Sequence, residues 1–379
     1  MWMQKVYRNE IYFDNAATSR YKPQSVIKAM VAQMRASANP GRGGHRSAIE
    51  AGMTVESARS VIESHLGAGA VVWTKNCTEA LNQAIFGLNP DGTVIISTFE
   101  HNSVYRPLVR LEQQKRIKLK ILEGENGLIT PDALNAAIDG DTALIVLCEV
   151  GNVIGTRQPV AELSRVAAAN GIPMIVDTAQ SLGYGLASDY GSVDFVCCSG
   201  HKGLHGPQGT GFLWINGNRH TLRPLIYGGT GRDSHSPVQS PEAPEGLESG
   251  TLNTPGIAGL AAGAEWSFAN LGQNARHIAM LIDFLAEELK KIPGVKLIGR
   301  GESVLSFNLG DLGSTETGDR LNEAGISVRA GLHCAPLAHR YLGTLKQGTV
   351  RIGAGVENTL KECELLIAAV RRIAASTAI

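Results

Sequence analysis

The sequence predicts an α/β fold, with a large domain built on a mostly parallel sheet covered by helices and a smaller α+β domain after it. Three observations carry this expectation. Between residues 70 and 215, short and wholly apolar strands alternate with helical windows, and strands apolar on both faces must be covered on both. Each strand runs straight into a polar cluster, as in parallel sheets whose chemistry gathers at the carboxyl ends of strands. Beyond a long helical region the chain returns to short strands and a closing helix, and 379 residues suffice for two domains at about 150 each.

The strands read as 71–74, 93–97, 143–148, 173–177 and 193–199. Helical windows at 78–87 and 160–170 repeat apolar residues three and four apart. Thr74 leads into Asn76-Cys77-Thr78-Glu79, Ser97 into Glu100-His101-Asn102, and Cys148 into Glu149, Gly151 and Asn152. Val176 leads into Asp177-Thr178-Ala179-Gln180, and Cys198 into Ser199-Gly200-His201-Lys202. Five polar strand ends in one sheet describe the wall of one cavity. Residues 230–250, rich in Pro, Ser, Gly and Glu, read as an irregular loop. A long helical stretch follows at 256–291, then strands at 295–298 and 304–309 and a last helix at 359–373.

Lys plus Arg and Asp plus Glu both count 35, a net charge of zero that argues against a nucleic-acid or anionic-membrane partner. Gly is in excess, at 44 residues, as tight turns and close backbone approach to a ligand require. Six cysteines are too sparse for a disulfide scaffold, and no spacing reads as a metal site. No run of about 18 apolar residues occurs, and residues 1–15 lack the apolar stretch of a signal peptide. A soluble, cytoplasmic protein acting on a small molecule is the expectation.

The glycine-rich turn 199–209 places Lys202 just after an apolar strand. A half-buried ammonium is costly to desolvate, so this lysine reads as carbonyl-reactive and able to form a Schiff base, against the commoner surface lysine. Asp177, at a strand end, could face a protonated pyridine nitrogen or cap the next helix. Thr78 opens a helix whose free N–H groups suit a phosphate, or the cap of that helix falls at Cys77 or Thr78. No Walker or dinucleotide glycine motif accompanies it, which disfavours a nucleotide. His101 could stack on an aromatic cofactor or move a proton, or serve as a hydrogen-bonded structural residue. His201 and His205, with Cys197 or Cys198, make a poor metal site because Gly203 and Gly206 interrupt any ligand-bearing helix. Cys334 lies between His333 and Ala335 and close to Arg329, positive neighbours that favour a nucleophilic thiolate. Cys77, loop-like, is its rival, and Cys148, Cys197, Cys198 and Cys363 read as structural.

Together these motifs resemble the pyridoxal-phosphate-dependent class V aminotransferases, within them the cysteine desulfurase and selenocysteine lyase branch. The likeness runs from Tyr12-Phe13-Asp14-Asn15-Ala16-Ala17-Thr18 to Arg351. It passes through Thr78-Glu79-Ala80-Leu81-Asn82, Glu100-His101-Asn102, Gly151-Asn152-Val153-Ile154-Gly155, Val176-Asp177-Thr178-Ala179-Gln180, Ser199-Gly200-His201-Lys202 and Gly250-Thr251-Leu252-Asn253-Thr254. The resemblance implies a fold-type I enzyme with a large cofactor domain at 20–258 and a small domain of 1–19 plus 259–379. It implies pyridoxal 5'-phosphate on Lys202, with Asp177 at the pyridine nitrogen, Gln180 at the phenolic oxygen and His101 stacked on the ring. Thr78, Ser199 and His201 would hold the phosphate. Gly250 and Thr251 would reach the phosphate of a neighbouring subunit, making a homodimer. Asn152 and Arg351, with Arg329 near them, would bind the substrate carboxylate, and Cys334 would accept sulfur.

The chain departs from that pattern where Leu332, not a second histidine, precedes His333, and in the glycine-rich stretch 40–46. Both departures bear on substrate choice. The resemblance implies desulfuration of cysteine to alanine with a persulfide on Cys334, and a sulfur-accepting protein as partner. Selenocysteine cleavage, transamination, sulfinate removal and epimerisation are the alternatives on the same cofactor.

Overall fold

The structure is a computed structural model and describes residues 10–40, 43–125, 127–185, 189–217, 220–231 and 235–376. Gly41 and Arg42 of the glycine-rich stretch, and 232–234 of the long loop, lie outside the described residues. In chain order the elements are β1 (Ile11–Tyr12), α1 (Gln24–Arg35), α2 (Arg46–Leu66), β2 (Ala70–Thr74), α3 (Cys77–Leu88), β3 (Gly92–Ser97), α4 (Asn102–Gln113), β4 (Ile117–Leu122) and α5 (Pro131–Ala137). They continue with β5 (Thr142–Cys148), α6 (Val160–Ala169), β6 (Met174–Asp177), β7 (Phe195–Ser199), β8 (Gly211–Ile215), α7 (Thr254–Ala269) and α8 (Leu271–Leu289). The rest are β9 (Val295–Arg300), β10 (Val304–Leu309), α9 (Ser314–Glu323), β11 (Ile326–Ser327), β12 (Arg329–Gly331), α10 (Pro336–Tyr341), β13 (Thr349–Gly353) and α11 (Leu360–Ser376).

The larger of two units comprises residues 22–150 and 158–271. Its seven strands run in the order β2-β8-β7-β6-β5-β3-β4, parallel except for β8. Because β2, β3, β5, β6 and β7 share a direction, their carboxyl ends and the polar clusters after them lie along one edge of the sheet. Phe195, Phe212 and Trp214 are fully buried in this layer, each stabilising it by about 2 kcal/mol. Two strands escape the sequence reading. In β4, lysines alternate with aliphatic residues at the sheet edge, and β8 follows directly on the glycine-rich turn and runs against its neighbours.

The smaller unit comprises residues 10–21, 151–157 and 272–376 of the described chain. An antiparallel sheet β12-β13-β10-β9 forms its centre, β1 pairs with β11, and α9 packs on β10, β12 and β13. The division expected at 258 falls inside α7, and the units part after Leu271, with 151–157 joining the smaller one. The single helical stretch expected at 256–291 is two helices. Asn270 ends α7, its backbone and side-chain amides both donating to the Trp266 carbonyl, which gives those C-terminal groups partners without further helix.

Candidate active site

In the larger unit, Asp177 ends β6 with 5 % exposure. Its Oδ1 accepts the Ala179 N–H at 2.9 Å and the Cys77 thiol at 3.3 Å. The second of these bonds joins the start of α3 to the end of β6. Asn76 caps that helix, its Oδ1 accepting the Glu79 N–H at 2.9 Å, while the Glu79 carboxylate reaches back to the Lys75 N–H at 2.6 Å. The cap thus falls at Asn76, just before the expected Cys77 or Thr78. Thr78 is instead an exposed first-turn residue, where N–H groups lack intrahelical partners. Gly211 allows β8 to approach: a Cβ there would stand 2.9 Å from Asn76 Cα.

Ser199 ends β7 with its hydroxyl buried and without a partner among the described residues. The turn that follows is tight enough to exclude side chains at two places. A Cβ on Gly200 would meet Thr210 Oγ1 at 2.3 Å, and one on Gly203 would meet the Leu182 carbonyl at 2.3 Å. Lys202, half-buried, thus projects from a turn with fixed backbone. Burial beside Lys202 and Lys22 pushes the His201 pKa down to about 4, so its ring is neutral. His205 donates from Nδ1 to the Gly203 carbonyl at 2.8 Å and packs on Trp266, a structural role. Among the described residues, no group of three His, Cys, Asp or Glu is arranged to hold a metal ion.

His101 caps α4, Nδ1 accepting the Ser103 N–H at 3.1 Å, while the ring stays half-buried. The hydrogen-bonded structural role expected for it is thus present as the helix cap. Glu100 carries more chemistry than the sequence revealed. It is fully buried, accepts from the Ser97 hydroxyl at 2.5 Å and the Cys148 N–H at 3.1 Å, and burial lifts its pKa to about 8. At neutral pH it is a carboxylic acid, not a carboxylate.

Gly250 and Thr251 are exposed, on a segment fastened just before them. Glu248, buried, takes a two-pronged ion pair from Arg59 of α2 at 3.0 and 2.8 Å and the Trp73 N–H at 2.5 Å. Thr251 lines a cleft of about 140 Å³ together with Thr74, Lys75 and Gly211.

In the smaller unit, Arg351 of β13 is 3 % exposed and donates to Asp14 Oδ1 and to the Asn152 carbonyl, both at 3.2 Å. Arg329 lies directly across from it on β12 and pairs with the other Asp14 oxygen at 3.8 Å. Asn152 donates its side-chain amide to the His333 carbonyl at 2.6 Å. Cys334 is exposed, and all five other cysteines are buried. The sequence argument for a thiolate there needs correction. Burial and Arg351 drive the His333 pKa down to about 2, so this neighbour is neutral and brings no charge to the thiol. Cys77 is no rival: burial and Asp177 raise its pKa far above the usual thiol range.

These groups fit pyridoxal 5'-phosphate. A ring nitrogen needs a buried carboxylate, which Asp177 supplies. A phosphate needs N–H and hydroxyl donors, and the helix start at Thr78 and the unpartnered Ser199 hydroxyl lie along the same sheet edge.

Comparison with known proteins agrees. The family model for class-V aminotransferases matches residues 11–366. A probable cysteine desulfurase of Pyrococcus abyssi is 35 % identical over 97 % of this chain and 94 % of its own. One from Methanothermobacter thermautotrophicus is 32 % identical over 95 % of this chain and 93 % of its own. The apo structure of a cysteine desulfurase from Thermococcus onnurineus superposes with a TM-score of 0.90 at 31 % identity, covering 97 % of this chain and 95 % of that one. The chain therefore belongs to the class-V aminotransferase family, whose cofactor is pyridoxal 5'-phosphate.

Proposed function

We propose that the protein is a cysteine desulfurase that converts L-cysteine to alanine and leaves a persulfide on Cys334. One observation carries the reading: of six cysteines, only Cys334 is exposed, and a sulfur acceptor must be reached by substrate and then by the next carrier. Burial holds Cys77, Cys148, Cys197, Cys198 and Cys363 as neutral thiols, the last at about 12.

The cofactor, when bound, supplies an electron sink for the pair left at Cα. Lys202 Nζ takes the Cα proton, and Asp177 would hold the ring nitrogen. Gln180 and His101 would orient the ring, and Thr78, Ser199 and His201 would hold its phosphate. Arg351 and Asn152, with Arg329 beside them, bind the substrate carboxylate; Asp14, now paired with both arginines, must share them with it. Cys334 as thiolate attacks the substrate sulfur, the C–S bond breaks with its electron pair going to Cβ, and protonation of Cβ together with return of the Lys202 proton to Cα yields alanine.

The exposed Gly250 and Thr251 on their anchored segment support a homodimer in which they reach the neighbouring copy. So do exposed Ile27, Val31 and Met34 on α1, and Ile49 and Met53 on α2, an apolar surface that a second copy would cover. A persulfide needs a taker, so a small sulfur-accepting protein is a partner. Unpaired thiols suit a reducing cytoplasm, and among the described residues no helix is long and apolar enough to cross a membrane.

The test is to incubate the protein with cysteine and a reductant and to measure alanine and sulfide, with selenocysteine and cysteine sulfinate in parallel. Equal amounts of alanine and sulfide, lost in Cys334→Ala, are expected. Alanine that persists in that variant would remove Cys334 as acceptor, and keto-acid without sulfide would select transamination.

A further inference from the structure

Asn152 does something in this structure beyond any meeting with a carboxylate. The loop between β12 and α10 holds two consecutive left-handed residues that are not glycine, His333 with φ 49° and Cys334 with φ 57°. L side chains adopt that region at a cost, so the loop keeps this shape only where neighbours hold it. Two groups do. The buried His333 ring sets Nε2 against the Thr349 hydroxyl and carbonyl at 2.9 and 3.0 Å. The Asn152 amide donates to the His333 carbonyl at 2.6 Å, the peptide group that joins His333 to Cys334. Asn152 Oδ1 is buried and accepts nothing among the described residues, so that donation alone orients the amide. The Asn152 carbonyl is in turn held by Arg351.

We propose that Asn152 is a positioning residue for Cys334: its amide clamps the His333–Cys334 peptide and keeps the thiol-bearing residue in its strained, exposed conformation. The proposal rests on the reading of Cys334 as sulfur acceptor. It also makes the carboxylate site and the sulfur-accepting loop share one side chain, so a substrate that draws on this amide acts on the loop as well. A residue that only gripped the carboxylate would serve every amino acid equally, whereas a clamp on Cys334 matters only where sulfur is transferred.

Asn152→Ala removes the amide, and Asn152→Leu removes it while keeping the branched outline of the side chain. The first measurement is hydrogen exchange on the cofactor-loaded, substrate-free protein at the Ala335 amide, which bonds to the Leu332 carbonyl across the loop. It is expected to quicken at least tenfold in both variants. The second compares two reactions of the same protein: desulfuration at saturating cysteine, and exchange of the Cα hydrogen of L-alanine, which needs the lysine and the carboxylate grip but no thiol. Desulfuration is expected to fall at least tenfold further than alanine exchange. Unchanged exchange at Ala335, or equal losses in the two reactions, would overturn the clamp. If the wild-type protein makes no alanine from cysteine, the desulfurase reading fails instead, and exchange at Ala335 still decides the clamp.

Discussion

In the larger unit the positions proposed to hold the cofactor are the ends of buried strands: Asp177 and Ser199 close β6 and β7 with 5 % and 3 % exposure, and Lys202 follows in a turn too tight for added side chains. In the smaller unit the position proposed as sulfur acceptor is a thiol on an exposed loop, in a backbone conformation that neighbours must hold. The contrast follows from the two halves of the chemistry. Stabilising charge at Cα needs fixed partners out of water, where electrostatic interactions are strong. Accepting sulfur and handing it on needs reach, and a buried thiol such as Cys77 or Cys197 is both neutral and inaccessible. One unit is built to hold still, the other to present a group.

The largest effect should come from Lys202→Ala. Loss of a positioned proton carrier costs about 10²–10⁴-fold, so Cα hydrogen exchange of L-alanine should fall on that scale while Cys334 remains alkylated by iodoacetamide at the wild-type rate. A fall in alkylation alongside it would break the separation between the two regions. Next comes Arg59→Met, which leaves the Glu248 carboxylate buried without its partner. Breaking such a pair costs about 3–5 kcal/mol, or roughly 10 °C in melting temperature for a domain of this size. The loss should appear in calorimetry and as faster exchange near Gly250, with Ala335 unaffected.

Strand ends were the legible part of this molecule. Wholly apolar strands followed by Asp177, Ser199 or Thr74 announce a parallel sheet and its working edge, because covering both faces leaves only the ends for polar chemistry. The roles proposed for Gln180 and Gly250 come from the order and spacing of motifs together, whereas Lys202 and Cys334 are also marked by their immediate neighbours. Glu100 was invisible, since its neutrality depends on the low polarity that β3 and β5 create around it. The neutrality of His333 was misread for the same reason: sequence shows a histidine beside a cysteine, and only burial shows that it carries no charge. The Asn152 clamp joins residues 181 apart in sequence, a pairing that no local pattern encodes.

The smallest expected effect is a pH dependence that differs between the units. Glu100 has a folded-state pKa of about 8, above its value of about 4.3 in an unfolded chain. Its contribution is therefore complete at low pH and lost as pH rises through 8, because the unfolded chain releases the proton first. His333, at about 2, and His201 and His205, at about 4, act in the opposite sense: their contribution is complete above about 6.5 and lost as pH falls. Between pH 6.5 and 8 the unfolded histidines finish losing their protons and the unfolded thiols, at about 8.5, begin to lose theirs. Comparison with Glu100→Gln isolates Glu100 across that window. At about 1.4 kcal/mol per pH unit, the larger unit should lose about 2 kcal/mol across it, read as faster hydrogen exchange in β3 and β5 with no change in β12 and β13. Glu100→Gln keeps the shape and cannot ionise, so that part of the slope should vanish in the variant. A slope of equal size in Glu100→Gln would show that the burial of this acid does not govern the alkaline side, and an equal slope in β13 would show that the units do not respond separately.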